Sequence, residues 1–340
     1  MFLLSPQNIS SHKSSIFRAL GFFTFEILIL TAAFLSNFIS AFFLKNFFEF
    51  DNLKRISIKN ALMLVNSEKF LGIFVEQQIQ QWSLKNIGAW TFWNSYYAGV
   101  HPVVTVTTLV FILVRALMWF LKHDNWIQIN QQNSFQSLEY RKSSFSLLPK
   151  NLSPYQQYRL MRTTYVLSIF FTFLVFIFLP AMPPRLLPDC DFLNGSGKKL
   201  GACLSDFTFV DTIGKHGSLF FTWKDESVQS LSNPYAALPS QHAMFALWVS
   251  LSCFLILSSS KKSSPSFTFL SRRSFLLYCG SFFLMAFYPT LTIFCIIITA
   301  NHYIMDAIIG ALCLSLAYLI ALYFIVSKNS NEKNYEVLPL

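Results

Sequence analysis

Long apolar runs separated by stretches rich in charge, Pro, Ser and Asn set the organisation of this chain. A helix needs about 20 apolar residues to cross the hydrocarbon layer of a membrane. Six segments read as spans on that criterion: Ile16–Leu44, Tyr96–Phe120, Thr164–Ala181, Ala243–Ser258, Phe275–Ala300 and Asp306–Ile325. Pro289 is expected to kink the fifth. Between the first two, Leu71–Trp93 mixes aromatic residues with Glu76, Gln77, Gln78, Gln80 and Gln81, the pattern of an amphipathic helix lying at the membrane interface. The first run is too long for a signal-peptide core and has no small-residue cleavage site after it, so it reads as a retained span. The expected fold is an all-α integral membrane protein of six transmembrane helices plus an interfacial helix. Residues 1–15 form an N-terminal segment, 16–326 a single membrane domain and 327–340 a tail.

Composition supports this reading. Of 340 residues, 54% are hydrophobic and 12% charged, about half the charge of an ordinary globular chain. Such a chain cannot cover a sphere with polar side chains, which excludes a cytosolic enzyme, an acidic disordered protein and a small disulfide scaffold. The net charge of +10 would suit nucleic acid. Lys and Arg also collect in cytoplasmic loops facing anionic lipid, so the expected partner is the bilayer and not nucleic acid. The basic clusters at Arg159/Arg162 and Lys261–Arg273 abut spans closely, which puts both termini in the cytoplasm.

That topology sends the loop between spans three and four to the lumenal or extracellular side. Cys190 and Cys203 lie there and either pair or remain two loop thiols. Asn194-Gly195-Ser196 in the same loop is a glycosylation acceptor pattern. Cys253, Cys279, Cys295 and Cys313 fall within spans and read as small apolar packers.

Ionisable groups at membrane depth are costly, so each is a functional candidate until a structural partner is found. For Glu26 and Arg115 a buried ion pair or snorkelling is explanation enough, while the role of His101 stays open. The sharper signal is His302-Tyr-Ile-Met-Asp306. Residues four apart share a helix face, so a carboxylate there fixes the tautomer of an imidazole and raises its basicity, as catalysis by His requires. The alternative is a polar helix-packing pair.

A second constellation, Pro239-Ser240-Gln241-His242, stands where span four begins, with Ser240 a natural N-cap beside amides able to bind an anion. Pro183-Pro184-Arg185 ends span three on the same membrane side and brings a guanidinium suited to bidentate phosphate binding. Two histidines, a carboxylate, an arginine and a hydroxyl therefore converge on one face. That inventory suits phosphoryl transfer without a metal or cofactor.

These segments resemble the type 2 phosphatidic acid phosphatase superfamily over roughly residues 76–326. The likeness is strongest at Pro183-Pro184-Arg185, Phe209-Val210-Asp211-Thr212, Asn233-Pro-Tyr-Ala-Ala-Leu-Pro-Ser-Gln-His242, Tyr288-Pro289 and Thr299-Ala-Asn-His-Tyr-Ile-Met-Asp306. Their combination is similar to the branch that includes inositolphosphorylceramide synthases. The resemblance implies a catalytic core at about 160–326, with His302 attacking phosphorus, Asp306 orienting it and His242 protonating the leaving alkoxide. Ser240 and Arg185 would hold phosphate oxygens.

Where the family commonly has Ser-Arg before the nucleophile, this chain has Cys295 and Ile296, and the usual Lys of the first motif is also missing. Asn301 or a lumenal Lys is the expected substitute at the phosphate. The implied substrate is a membrane lipid of the phosphatidic acid, phosphatidylinositol or ceramide class. The implied location is the endoplasmic reticulum, the Golgi or another secretory-route membrane, with a lumenal or extracellular site. Hydrolysis and transfer share the first half-reaction, and a catalytically silent scaffold or lipid binder is a third reading.

Overall fold

Helix starts and stops follow local chemistry of the chain. The computed structural model describes residues 21, 23–32, 35, 39, 42, 49–122, 149, 152–190, 200–220, 234–260, 280 and 282–331. Along them run α1 (Phe23–Ala32), α2 (Phe50–Leu71), α3 (Glu76–Asn86), α4 (Trp90–Ser95), α5 (His101–Lys122), α6 (Pro154–Phe178), α7 (Thr212–His216), α8 (Gln241–Ser260), α9 (Tyr288–Ile298) and α10 (Ile304–Asn331). No strand occurs among the described residues, where Ala181 and Ala236 make an isolated parallel bridge.

Four stretches are long and apolar enough to cross a membrane: Trp90–Trp119, Pro154–Phe178, Gln241–Ser258 and Ile304–Ile325. The first and fifth expected spans are represented by the shorter apolar helices Phe23–Ala32 and Met285–Ile298. The rest of those two runs lies in part outside the described residues.

Three boundaries differ from expectation. Span three begins at Pro154 because Ser153 and Gln156 close a capping box, each side chain bonded to the other's backbone N–H, with Pro at the first helical position. Span two begins at Trp90 and passes through a π turn at Tyr96–Val100. The single interfacial helix expected over Leu71–Trp93 is instead the end of α2, then α3, then the start of α4. Gly72, at φ +70°, adopts the left-handed conformation that ends α2 after Leu71.

The polar side of α3 faces inward. Glu76, Gln80 and Ser83 are buried while Trp82 is exposed. The reason is hydrogen bonding: Gln80 Nε2 donates to the Val210 carbonyl at 2.9 Å, and Val210 N–H donates back to Gln80 Oε1 at 3.0 Å. Gln81 and Gln77 hold Thr208 in the same way. The glutamine run therefore orders the segment leading to Asp211.

Two cores result. One fills the bundle, where α6 lies along α10, α5 and α8. Hydrocarbon is as apolar as Leu, so small residues that permit close approach matter more there than burial alone. Ala317 and Ala321 of α10 and Ala116 of α5 are fully buried. A Cβ added to Gly310 would stand 2.6 Å from the Ser240 carbonyl oxygen. The second core caps one end of the bundle: Leu53, Ala61, Leu64 and Val65 of α2 pack with Met182, Leu186, Leu187, Tyr235 and Tyr303. Backbone bonds stitch it together, from Met182 N–H to Ser57 O, Ala181 N–H to Tyr235 O, Arg185 N–H to Ala300 O and Ser240 N–H to Asp306 O.

The two intramembrane charges do not pair with each other. Glu26 takes Arg162 at 3.3 Å and the Tyr158 hydroxyl at 2.9 Å, while Arg115 donates to Gln157 at 2.6 Å.

Candidate functional site

Four chain segments meet where the bundle joins its cap. The turn Thr299–Tyr303 between α9 and α10 carries His302, and Ala300, at φ +51°, makes the bend. The start of α8 carries His242, behind Ser240, whose hydroxyl accepts the Ala243 N–H at 3.3 Å as an N-cap does. Pro183–Leu187 carries Arg185, and the π turn of the second span presents Tyr97. Single π turns inside helices recur at functional sites.

His302 is buried. Its Nδ1 lies 2.8 Å from the Ala237 carbonyl oxygen and 3.4 Å from Asp306 Oδ2. A carbonyl only accepts, so Nδ1 carries the proton and the lone pair resides on Nε2. That Nε2 is buried with no hydrogen-bond partner among the described residues. Burial holds the imidazole down at about 4; the Ala237 bond opposes the shift and the Arg185 charge adds to it. At neutral pH the ring is therefore uncharged, with its lone-pair nitrogen Nε2 unbonded among the described residues. Asp306 is expected to be the orienting partner, but the shorter contact to Nδ1 is the Ala237 carbonyl, a backbone group that no side-chain motif reveals. Asp306 Oδ2 also accepts the Tyr303 N–H at 2.8 Å, which ties the carboxylate to the first turn of α10.

His242 stacks on Tyr97 with ring centroids 4.1 Å apart, its Nε2 lies 3.3 Å from the Tyr97 carbonyl oxygen, and the His302 ring is 5.5 Å away. The structure brings a third imidazole close, since His101 lies 4.8 Å from His242 between centroids, with Nδ1 2.9 Å from the Tyr288 hydroxyl. The sequence leaves His101 without a role; the only local signal is its place four residues beyond Tyr97, one helical turn along.

Arg185 is buried and held from two sides. Its Nη1 pairs with Asp211 Oδ2 at 3.1 Å, and its Nε donates to Asn301 Oδ1 at 2.9 Å. Asn301 also donates from Nδ2 to Thr299 Oγ1 at 2.8 Å. Asn301, expected to stand in at the phosphate, thus faces the guanidinium and orients it. Asp211 is held in turn as the cap of α7, accepting the Gly214 N–H at 3.0 Å. Its motif was visible in the sequence; its pairing with Arg185 was not.

Cys190 and Cys203 are joined as a disulfide, with Cα atoms 4.6 Å apart, in the chain that covers the cap. Asn194 lies outside the described residues. Among the described residues no group of three or more His, Cys, Asp or Glu is arranged to hold a metal ion.

Buried imidazoles near a fixed guanidinium, one of them with an unpartnered ring nitrogen, can bind an oxyanion and exchange groups on it. A comparison with known proteins points the same way. The sequence profile of the PAP2 superfamily matches residues 114–270. The match supports that superfamily, whose members catalyse phosphoester hydrolysis or transfer. It contains Arg185, Asp211, Ser240 and His242, and stops short of His302 and Asp306. No curated protein and no solved structure matches significantly.

Proposed function

We propose that this protein is a membrane lipid phosphatase or phosphotransferase working through a phosphohistidine. The observation that carries the reading is the bare, buried Nε2 of a neutral His302 whose ring sits 5.5 Å from that of His242. Nε2 attacks phosphorus; a P–N bond forms while the P–O bond to the leaving group breaks. His242 gives the leaving alkoxide its proton and then takes one from the incoming nucleophile. Water or a lipid alcohol attacks phosphorus, the P–N bond breaks, and Nε2 recovers its lone pair. Arg185, steered by Asp211 and Asn301, neutralises the phosphate oxygens, the largest electrostatic contribution this site offers. Ser240 sits at the start of α8 to face the same oxygens.

The transferase-related reading, with phosphoinositol passing to ceramide, draws on one contact. The Pro-Pro-Arg and Asn-His-Tyr segments touch directly through Arg185 Nε and Asn301 Oδ1. In either case the site faces the lumen or the exterior if the basic clusters mark the cytoplasm.

The test is mass spectrometry of products formed by the protein in nanodiscs of phosphatidic acid, phosphatidylinositol and ceramide, with chelator present. Diacylglycerol and phosphate made by the wild type and not by His302→Ala support the phosphatase; inositolphosphorylceramide supports the transferase. Absence of any His302-dependent product across the panel overturns the reading.

A further inference from the structure

Helix α10 opens with three consecutive amides, and a different carboxyl takes each. Tyr303 N–H donates to Asp306 Oδ2 at 2.8 Å, Ile304 N–H to Glu76 Oε1 at 2.8 Å and Met305 N–H to Glu68 Oε1 at 2.7 Å. Every helix leaves its first N–H groups without intrahelical partners, and one capping side chain is the usual answer. Here two of the caps come from α3 and α2, at sequence separations of 228 and 237 residues. Both lie outside the region that matches the PAP2 superfamily.

Glu68 and Glu76 are fully buried. Oε1 of each is used on α10. Oε2 of each has no donor among the described residues, and because the two Oε1 atoms cap successive amides of one turn, the carboxyls stand side by side. Two ionised carboxylates in contact inside a protein repel. The charged and titratable groups facing them do not relieve this. Asp306 on α10 is another carboxyl and Tyr303 a phenol, while Lys69 of α2 lies over the Phe74 and Phe207 rings at 5.4 and 5.9 Å. One proton placed between the two carboxyls turns the repulsion into a hydrogen bond and satisfies both orphan oxygens.

We propose that Glu68 and Glu76 share one proton through their Oε2 atoms and together form a positioning pair that clamps the first turn of α10, and with it His302 and Asp306. The proposal rests on the reading of His302 as nucleophile. Burial, with Glu76 and Asp306 adding to it against the opposing Met305 amide, raises Glu68 to about 9. The shared proton is therefore held at neutral pH. When it leaves, the clamp becomes two repelling anions beneath the nucleophile, and α2 and α3 are pushed off α10.

The experiment compares wild type, Glu68→Gln and Glu68→Ala in nanodiscs. Glu68→Gln keeps an acceptor for Met305 N–H and offers an N–H to Glu76 that no base removes. The wild-type rate is expected to fall as pH passes about 9, and Glu68→Gln to keep most of the neutral-pH rate while losing that alkaline fall. Glu68→Ala is expected to lose at least roughly tenfold in kcat with little change in KM, because the reacting geometry and not the lipid contact is disturbed. A merely structural role would leave the pH profile of Glu68→Gln like that of the wild type, and that result overturns the proposal.

A second readout does not depend on turnover. The infrared C=O stretch of a protonated carboxyl is expected in the wild type at pH 7, titrating away near pH 9, and missing from Glu68→Gln. If the band is present and no His302-dependent product forms, the catalytic reading fails while the shared proton stands. If the band is the same in Glu68→Gln, the proton-sharing pair is wrong whatever the activity.

Discussion

Two polar clusters are buried at opposite ends of α6, and they differ in how completely they are satisfied. At the first, Glu26 Oε2 meets both Arg162, whose Nε is held by that ion pair alone among the described residues, and the Tyr158 hydroxyl, and Arg115 meets Gln157. At the second, Arg185 is anchored by Asp211 and Asn301, but His302 Nε2, His101 Nε2 and Asp306 Oδ1 are buried without hydrogen-bond partners among the described residues. Buried polar atoms are nearly always paired, and an exception asks for an explanation. The first cluster has the form of a membrane protein neutralising its internal charge. The second has the form of a site whose missing partners arrive with a ligand.

Substitutions can break that contrast, beginning with the largest effect. Replacing His302 by Ala is expected to reduce turnover by at least about 10³-fold, while folding is retained by size-exclusion profile. Arg185→Lys keeps the charge and loses the planar fork held between Asp211 and Asn301. It is expected to lower kcat by roughly 10²-fold, measured on whichever lipid the wild type consumes. At Gly310 an Ala methyl would press on the Ser240 carbonyl from 2.6 Å. The resulting shift of the α8 start is expected to reduce kcat about tenfold with the melting temperature moving by only a few degrees.

The contrast can also be sharpened with pH. Because His302 is held at about 4, below its unfolded value of about 6.5, the ring stays neutral down to that point. The acid limb of kcat/KM is expected near pH 4, and Arg185→Gln should move it upward. The sign for stability is the same: the contribution of the neutral ring is present above about pH 6.5 and is lost as pH falls through about 4. The smallest effect on activity is expected at the satisfied cluster. Glu26→Gln should alter turnover by less than about threefold, while thermal unfolding in detergent reports a loss of about 3 kcal/mol. A large drop in turnover without a drop in stability would erase the distinction between the two ends.

Spans two, three, four and six were legible because apolar length is a local property, readable one window at a time. The side chains proposed for the site, His242, His302, Asp306, Arg185 and Ser240, also stand in dense local motifs. What stayed hidden depends on pairings between distant segments. The inward turn of α3 follows from Gln80 clamping Val210 across 130 residues, which no periodicity in α3 itself shows. Asn301 was expected at a phosphate, and its bond to Arg185, 116 residues away, was not. Other misses had local signals: Ser153-Pro154 with Gln156 marks the true start of α6, and Asp51 in the first turn with Gly72 after the last brackets α2.

The backbone stitches of the cap have a further consequence. Ala181 to Tyr235, Met182 to Ser57, Arg185 to Ala300 and Ser240 to Asp306 are all main-chain bonds, to which side chains contribute nothing. The frame that sets the spacing of His242, His302 and Arg185 is therefore held by bonds that no exchange of side chain removes, while Ala181, Met182 and Tyr235, buried in the cap core, must still keep their volume.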